Sequence, residues 1–391
     1  MLVTIVSRIY RPEPASASFF LGSVADALLA DGHDVDVLTA RLPRGMSPEE
    51  RGERVRTFPV LRDRNGYVRG YLPYLSFDVP LALRLLFTRR PAVVLMEPPP
   101  TTGAVVRIVC GIRRIPYVYD AADVWSDAAD MATGSRVVIR VLRAVERFAM
   151  RGAASLVTIT QGVVDRVRQL GIDRPVTVTG FGADTSEFTV TRAPASPVFV
   201  YAGSYSVWHG AEVLLPALVQ LRTTHPRHRL RVIGNGERAA LQQRARELGI
   251  GDAVEFLEAV PPAQLAPHLA GAVATLATLK PGTGYDYAFT SKAYSSLAAG
   301  CPVIFAGPGP TAAFLGDANR HVRAGAAVAY DSAAIAEAMR AFADSPLTMP
   351  EREALGAWTA AEHSMAAVAR RVAAVGESVA KTAAAPRGAL G

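Results

Sequence analysis

The chain has 391 residues, half of them hydrophobic and a fifth charged, which is typical of a soluble protein with more than one folded domain. Its net charge of +7 and pI near 9.6 favour anionic partners such as sugar nucleotides, lipid phosphates or membrane surfaces, and the lack of a dense basic tract with interleaved aromatic residues counts against nucleic acid. The only cysteines, Cys110 and Cys301, exclude a disulfide framework and a cysteine-based metal cluster, so no disulfide partner is expected.

The first half of the sequence alternates predicted strands with predicted helices. The strands are apolar runs over residues 2–6, 35–38, 55–58, 92–96, 117–120 and 156–160. Helices are expected over residues 18–30, 79–87, 101–110, 137–150 and 162–171. Because continuous apolar strands that alternate with helices indicate a parallel sheet covered on both faces, residues 1–190 are predicted to form one doubly wound domain.

The second half repeats this alternation after residues 176–197, which are rich in glycine, threonine, serine and proline and predict a linker. The strands are predicted over residues 199–201, 230–233, 254–257, 272–279 and 303–305. The helices are predicted over residues 214–221, 237–248, 264–270, 293–299, 332–343 and 350–374. We expect a second doubly wound α/β domain over residues 191–349, a C-terminal helix over 350–380, a flexible tail over 381–391 and a ligand cleft between the domains.

The sequence predicts a cytoplasmic location. Apolar runs such as residues 269–279 are shorter than the roughly 20 residues of a membrane-spanning helix. The N-terminus enters a strand pattern at once, without the features of a secretory signal. Residues 67–87 mix aromatic residues, arginines and leucines, which fits either a peripheral contact with a membrane or lipid acceptor, or the packing of a core helix.

Residues 285–304 read as a loop, a short helix and a strand. Thr290, Ser291 and Lys292 stand where the helix begins. A helix start offers unpaired N–H groups and the positive end of the helix dipole, to which a serine and a lysine add a hydroxyl and a full charge. The stretch is either a phosphate-binding site or a capped helix with a solvated lysine.

Two other turns of the second half suit a close approach of phosphate. Gly203 and Ser204 follow a predicted strand and precede a helix, and Gly234 and Asn235 occupy the same place one strand later. His209 lies near the first of these helix starts and is either a hydrogen-bond donor to phosphate or incidental there.

The first half offers two candidate loops at predicted strand ends. The loop over residues 7–18 carries prolines and small residues, including Ala15 and Ser16, that would let a ligand reach backbone amides at a helix start. The sequence DAADVW follows a strand, so Asp120 or Asp123 would orient an acceptor hydroxyl or accept its proton, unless it only caps a helix. The sequence EPPPT over residues 97–101 predicts a rigid wall.

Taken in order, these motifs resemble the GT-B glycosyltransferases of family four, and among them the bacterial exopolysaccharide branch of the colanic-acid type. The matching segments are YRPEPASAS, ADGHDVDVLTA, EPPPTTG, YVYDAADVWSDAA, GFGADTSEF, FVYAGSYSVWHGAEVLL, RVIGNGERAALQQRARELGI and SKAYSSLAAGCPVI.

The resemblance implies two Rossmann-like domains, a C-terminal helix that crosses back to the first of them, and retaining transfer of a sugar in polysaccharide biosynthesis. The donor would be a nucleotide-diphosphate sugar held by the second domain, and the acceptor, on the first, would be a polysaccharide, a lipid-linked sugar or a small molecule. No metal or other cofactor is implied. Lys292 would stabilise the leaving diphosphate, with Thr290, Ser291, Gly203 and Ser204 beside it, and Asp123 would act on the acceptor.

The sequence departs from the family pattern at several positions. Ser295 stands where a glutamate usually holds the donor ribose, and Tyr287 where an earlier glutamate stands. Ser204 and His209 replace an arginine and a lysine, and Ala122 replaces a histidine. These changes motivate an alternative, a catalytically silent GT-B protein that binds or stabilises a partner enzyme. A GT-B relative that works on a nucleotide sugar without transfer, such as a 2-epimerase, is a further alternative.

Overall fold

The computed structural model describes residues 1–13, 15–47, 49, 51–63, 68, 70–127, 135–191, 196–206, 208–283 and 286–385. The chain divides into two compact units, unit 1 with Met1–Gly180 and Val368–Gly391, and unit 2 with Phe181–Ala367. Each unit is a parallel sheet covered by helices on both faces. The predicted α/β fold with two Rossmann-like, doubly wound domains is therefore confirmed.

Unit 1 contains a seven-stranded sheet in the order β3-β2-β1-β4-β5-β6-β7. Its strands are β1 Leu2–Val6, β2 Asp34–Ala40, β3 Arg54–Phe58, β4 Val93–Met96, β5 Tyr117–Asp120, β6 Ser155–Thr158 and β7 Val176–Val178. The segment Met1–Gly180 contributes the helices α1 Ser16–Ala30, α2 Tyr71–Phe87, α3 Pro100–Arg113, α4 Arg136–Gly152 and α5 Gln161–Gln169. At the centre of the sheet, Val3 of β1 lies between Val35 of β2 and Val93 of β4.

The two faces of this sheet have separate cores. Helices α2, α3, α4 and α5 bury residues such as Phe77 and Met150 against one face, and α1 buries Leu28 against the other. Gly103 brings α3 close to its neighbours, since a Cβ there would lie 2.8 Å from the Cβ of Ala149 and 2.9 Å from the Tyr119 ring.

Unit 2 contains a six-stranded sheet in the order β10-β9-β8-β11-β12-β13. Its strands are β8 Val198–Ala202, β9 Arg229–Ile233, β10 Val254–Leu257, β11 Thr275–Thr278, β12 Val303–Ala306 and β13 Gly325–Val328. Its helices are α6 Leu214–Arg222, α7 Arg238–Glu247, α8 Pro262–Ala270, α9 Lys292–Ala298, α10 Pro310–Ala318, α11 Ser332–Asp344 and α12 Met349–His363, with short 3-10 turns at Ala211–Val213 and Gly251–Ala253.

The C-terminal helix predicted over residues 350–374 is two helices in the structure, α12 and α13 Met365–Ala384. They meet at Ser364, whose backbone is extended and whose Oγ accepts a hydrogen bond from the N–H of Ala367. A serine in this position ends one helix and caps the next. From Val368 onward the chain belongs to unit 1, where Val372 of α13 packs in the same core as α1.

Three elements were missing from the sequence prediction. Strand β7 lies inside the segment that predicted a linker, and helix α10 and strand β13 follow β12 without a predicted counterpart. Strand β7 is a three-residue edge strand with mostly exposed side chains, so it lacks the apolar run that marks the other strands. Strand β13 reads GAAV and has almost none of the β-branched and aromatic residues that signal a strand.

Candidate functional site

The sheet of unit 2 has a topological switch point between β8 and β11. The chain leaves β8 toward β9 and β10 on one side, whereas β11 and the strands after it lie on the other. In open parallel sheets, ligands bind beyond the carboxyl ends of the strands at such a point. The turns after β8 and β9 contain the predicted residues Gly203, Ser204, Gly234 and Asn235.

The glycines of these two turns lie against each other. Gly203 has φ +124° and Gly234 has φ +142°, values that side-chain-bearing residues rarely adopt. A Cβ on Gly234 would lie 2.2 Å from the carbonyl oxygen of Gly203, so this position has no room for a side chain. Ser204 and Asn235 are exposed, and the carbonyl oxygen of each accepts a hydrogen bond, from the hydroxyl of Tyr201 and from the N–H of Tyr205 respectively.

Lys292, the first residue of α9, extends toward the turn after β8. Its Nζ lies 4.0 Å from the centre of the Tyr201 ring, and a Cβ on Gly203 would lie 3.3 Å from the same atom. The Nζ atom is buried and has no hydrogen-bond partner among the described residues. Burial lowers the pKa of Lys292 to about 7. The switch point therefore holds an amine that lacks the counter-ion a buried cation requires.

Tyr201 was not predicted as a site residue. It is the fourth residue of β8, it is fully buried, and its hydroxyl donates to the carbonyl oxygen of Ser204 at 2.8 Å. The ring thus fixes the turn and offers its face to Lys292. In the sequence it reads as one more apolar residue of a buried strand, and no local pattern distinguishes it.

His209 lies in the loop that follows β8. Its Nδ1 is 2.8 Å from the Oγ of Ser206. Burial, with the nearby charge of Lys292, lowers the pKa of His209 to about 4. The imidazole is therefore neutral at physiological pH, and as a neutral ring it carries one donor and one acceptor.

Two hydrogen bonds tie this loop to the opposite side of the switch point. The N–H of Lys280, just after β11, donates to the carbonyl oxygen of Trp208 at 2.9 Å. The hydroxyl of Tyr330 donates to the carbonyl oxygen of Gly210 at 2.6 Å. His209 is held between these two anchors.

The start of α9 offers fewer groups for binding an anion than the sequence suggested. The helix has seven residues, and Ser291 before it is exposed and makes no side-chain capping bond. Thr290 is buried, and its N–H donates to the Oγ1 of Thr311 at 2.9 Å. Ser295, one turn after Lys292, is half-buried. The cationic side chain of Lys292, more than the dipole of a short helix, makes this a candidate anion site.

The sheet of unit 1 has its own switch point, between β1 and β4. Ser7 follows β1 and donates its hydroxyl to Oε2 of Glu97, which follows β4, at 3.0 Å. Burial raises the pKa of Glu97, an effect that the charge of Arg8 opposes. From the sequence, Glu97 was predicted only as part of a rigid wall.

Arg8 is held between two aromatic rings at this switch point. Its guanidinium carbon lies 5.1 Å from the ring centre of Tyr74 and 5.1 Å from that of Trp125. Such stacking fixes a guanidinium without using its N–H donors. Its position in the first loop was visible in the sequence, but its aromatic partners come from distant segments.

The DAADVW segment lies at the end of β5. Asp120 is half-buried there, and burial together with the charges of Glu97 and Asp123 raises its pKa to about 7. Asp123 is exposed. The backbone N–H of Trp125 donates to the carboxylate of Glu146 on α4 at 2.7 Å, and that of Ser126 does so at 3.1 Å. The loop is therefore fixed by a buried carboxylate that sequence patterns did not reveal.

Ala15 and Ser16 lie where α1 begins, as predicted, with an extended backbone at Ala15. Ion pairs hold the loop that leads to them, the buried guanidinium of Arg11 lying 2.6 Å from the carboxylate of Glu53. A second pair joins Glu13 to Arg62 at 2.8 Å.

In the part of the chain that the structure describes, no group of three or more histidine, cysteine or acidic residues is placed to bind a metal ion. In the same part, no helix is both long and apolar enough to cross a bilayer.

Comparison with known families matches both halves of the chain. Residues 18–182 match the family described as "Glycosyl transferase 4-like domain", and residues 196–345 match "Glycosyl transferases group 1". The glycogen synthase of Mycobacterium tuberculosis is 26% identical over 358 residues, which cover 84% of this chain and 82% of that protein.

Solved structures share the fold. The HepE protein of Anabaena in complex with UDP has a TM-score of 0.69 and 17% identity, covering 97% of this chain and 100% of that one. The sucrose-phosphate synthase of Thermosynechococcus elongatus has a TM-score of 0.69 and 16% identity, covering 98% and 100%. Both halves of the chain thus match glycosyltransferase domain families, and together they have the GT-B fold, as the motif order predicted. The colanic-acid branch stays a prediction.

Proposed function

We propose that the chain is a retaining glycosyltransferase that moves a sugar from a nucleotide-diphosphate sugar to a polysaccharide, lipid-linked or small-molecule acceptor. The observation that carries this proposal is the buried, unpartnered Nζ of Lys292 beside the glycine turn at Gly203. A diphosphate at the switch point of unit 2 supplies the missing anionic partner. We assign the donor to unit 2 and the acceptor to unit 1.

The chemistry of sugar transfer gives Lys292 its role. As the bond between the anomeric carbon and the diphosphate oxygen breaks, negative charge grows on the diphosphate, and a fixed cation stabilises this charge more in the transition state than in the ground state. The chain has three lysines among its 42 basic residues, so the lysine at 292 stands out against a strong use of arginine. A lysine with a lowered pKa gains its proton when the anion arrives, which an arginine does not do.

The neighbouring groups suit the rest of a donor. The N–H groups of Gly203 and Gly234 donate to carbonyl oxygens of the sheet, so we propose that a phosphate is contacted at their exposed neighbours Ser204 and Asn235. His209 stays neutral and donates one hydrogen bond to a phosphate oxygen or a sugar hydroxyl, while its Nδ1 faces Ser206. Thr290, Ser291 and Ser295 complete the predicted donor-binding set.

For the acceptor we propose the carboxylates at the switch point of unit 1. Asp120 has a pKa near neutrality, which suits a group that accepts a hydroxyl proton or shares one with Glu97. This favours Asp120 over Asp123, the residue singled out from the sequence, because Asp123 is exposed and farther along the loop. Ala15 and Ser16 are proposed to contact the ligand through the backbone at the start of α1.

We also propose that transfer needs no metal. The charge that a divalent ion would supply at the diphosphate is supplied by Lys292, and neutral hydrogen-bond donors of the two turns and of His209 add to it. The reaction breaks one bond at the anomeric carbon and forms another to the acceptor oxygen, and the acceptor proton leaves on a carboxylate or on the diphosphate.

The alternative is a catalytically silent protein of the same fold, and Ser295 is the observation that favours it. A serine hydroxyl makes a weaker contact to ribose than a carboxylate that accepts from two hydroxyls. Donor binding without transfer to any acceptor would support this alternative.

The experiment is a thermal-shift screen with UDP, GDP, dTDP and their glucose or mannose derivatives. Ligand binding to the folded state raises Tm by mass action, and UDP is the first choice because a protein of the same fold was solved with it. We expect one nucleoside diphosphate to raise the Tm of the wild type and of K381M, in which an exposed lysine is replaced, but not of K292M. No shift with any nucleotide would contradict the proposed donor site.

A further inference from the structure

Three neighbouring helices of unit 1 expose an unusual number of apolar side chains. Of the 16 large hydrophobic side chains exposed in the described part of the chain, ten belong to α2, α3 and α4. They are Leu72, Leu75, Val79, Leu83 and Phe87 on α2, Ile108 and Ile112 on α3, and Val137, Val141 and Phe148 on α4. We call this set the α2–α3–α4 face.

These residues share one side of the unit. Helix α3 packs against both α2 and α4, and all three cover the same face of the sheet. The exposed residues of α2 recur every three or four positions from Leu72 to Phe87, so they form one line about 22 Å long at the helical rise of 1.5 Å per residue. Helix α2 therefore has a second apolar side, opposite the one where Phe77, Leu81 and Leu85 enter the core.

The apolar side chains of this face are more exposed than is usual on a protein surface. Phe87 is 80% exposed, and Leu72 and Ile112 are each 69% exposed. Single apolar residues are common on protein surfaces, but a continuous set on adjacent helices marks an interaction site.

The solvent-exposed charges on these three helices are all positive. The three helices carry eight arginines and two carboxylates, Asp78 and Glu146, and both carboxylates are buried. Arg136 and Arg140 on α4 are exposed and have no ion-pair partner within the described residues. The guanidinium carbon of Arg107 lies 4.0 Å from the centre of the Phe148 ring, so a positive charge stands directly beside this exposed apolar side chain.

We propose that the α2–α3–α4 face binds the surface of a bilayer that contains anionic lipids. Apolar side chains interleaved with arginines on helices that lie flat are the chemistry of interfacial binding, in which the side chains enter the headgroup boundary and the arginines pair with lipid phosphates. A lipid surface also accepts a broad set of side chains, because it does not require a surface of matching shape.

Charge argues against a second copy of the chain as the occupant. In a two-fold contact the same surface meets itself, so the arginines of one copy would face the arginines of the other. Like charges brought together without carboxylates disfavour such a contact, whereas anionic headgroups neutralise it.

Membrane binding by this face does not depend on the donor chemistry. If the proposed function holds, the reaction would take place at the membrane surface. A lipid-linked acceptor would be presented to the unit that carries Asp120. Nucleotide binding and membrane binding are measured separately, so either can fail while the other stands.

The test is flotation of the purified full chain with two kinds of vesicle, phosphatidylcholine alone and phosphatidylcholine with phosphatidylglycerol. We expect binding to the second kind at low salt and loss of binding as salt screens the arginines. Each arginine near an anionic surface contributes about fivefold to the binding constant, so R136Q/R140Q should weaken it by more than tenfold. L83S/F87S, which removes two exposed apolar side chains of the face, should also weaken binding to these vesicles.

The matched control is F19S/R246Q, which removes one exposed apolar residue and one exposed arginine outside this face. It should bind vesicles as the wild type does. All variants should keep the wild-type circular dichroism spectrum and thermal shift with nucleotide. The proposal is overturned if the wild type stays unbound at low salt, if the face variants bind as well as the control, or if they instead abolish a concentration-dependent dimer.

Discussion

The ammonium of Lys292 lies over the face of Tyr201, 4.0 Å from the ring centre, and not beside a carboxylate. An aromatic face attracts a cation only weakly compared with the hydration that burial removes. This explains why the pKa of Lys292 falls to about 7. In the ligand-free protein the residue lowers stability, and in the proposed complex it binds the ligand.

Lys292→Met should therefore raise the Tm of the ligand-free protein and abolish nucleotide binding. The folded state holds this proton less tightly than the unfolded state, whose lysine has a pKa near 10.4, so the buried amine lowers stability at neutral pH. Each kcal/mol regained is worth roughly 2–4 °C in Tm. Calorimetry on K292M and on the exposed-site control K381M gives the measurement. A lower Tm for K292M would mean that the lysine is structural.

Nucleotide binding should depend on pH through the same residue. Below a pH of about 7 the amine of the free protein is protonated, and above it the proton must be taken up on binding. The Kd for the nucleoside diphosphate should rise about tenfold per pH unit between 8 and 10. Isothermal titration in buffers of different ionisation enthalpy should show proton uptake at pH 8 for the wild type. A Kd that does not change over this range would remove Lys292 from the site.

Asp120→Asn should abolish transfer and leave donor binding intact. We expect a loss of at least about 100-fold in kcat, as for other proton-accepting side chains, with an unchanged nucleotide Kd. Because the folded pKa of Asp120 is raised to about 7, the folded state binds more protons than the unfolded state between pH 4 and 7, and the stability it contributes is lost as pH rises.

The same variant thus has a second readout in its Tm. D120N should be more stable than the wild type at pH 8, and this advantage should disappear at pH 4. Asp123→Asn is the matched control, and it should change kcat by much less. If D123N is the inactive variant, the residue named from the sequence is the correct one.

Ser295→Glu should tighten nucleotide binding. The position lies one turn after Lys292 and is half-buried, so a longer side chain has a path toward solvent and ligand. A carboxylate that accepts from two ribose hydroxyls should lower Kd by about tenfold, which is roughly 1.4 kcal/mol. Titration of S295E against S295Q separates the effect of charge from that of length. Equal affinity in both would show that ribose is held elsewhere.

Transfer should continue in the presence of EDTA. The cation at the proposed diphosphate site is the side chain of Lys292, so a chelator has nothing to remove. The assay compares product formation with EDTA, with added Mg²⁺ and with added Mn²⁺, and we expect rates within about twofold of each other. A rate that depends on metal would require a ligand set outside the residues named here.

The sequence predicted most of the fold because its strands are short segments rich in apolar, β-branched and aromatic residues that alternate with helical segments. The strand over residues 117–120 and that over residues 254–257 have the predicted bounds in the structure. Helix α2 begins at Tyr71, eight residues before the predicted start, because its apolar side packs in the core and Pro73 lies in the first turn, where a proline is tolerated. Sequence windows do not contain such packing.

The site was predictable only in part. Glycine turns and a lysine at a helix start have local signatures, so Gly203, Gly234 and Lys292 were predicted as candidates, and the structure brings them together. Tyr201 and Glu97 were not, because each acquires its role from a residue far away in the chain. Tyr201 gains it from Lys292 and Glu97 from Ser7, and pairings of this kind exist only once the sheet has formed.

Glu146 joins helix α4, which carries part of the α2–α3–α4 face, to the loop that follows β5. Its carboxylate, on the buried side of α4, accepts hydrogen bonds from the N–H groups of Trp125 and Ser126, and Arg140 of the same helix is exposed. Separating the loop from the helix would break two charge-assisted hydrogen bonds, each worth about 1.5–3 kcal/mol. We therefore expect helix and loop to move together, so that a displacement of α4 reaches the backbone beside Asp123.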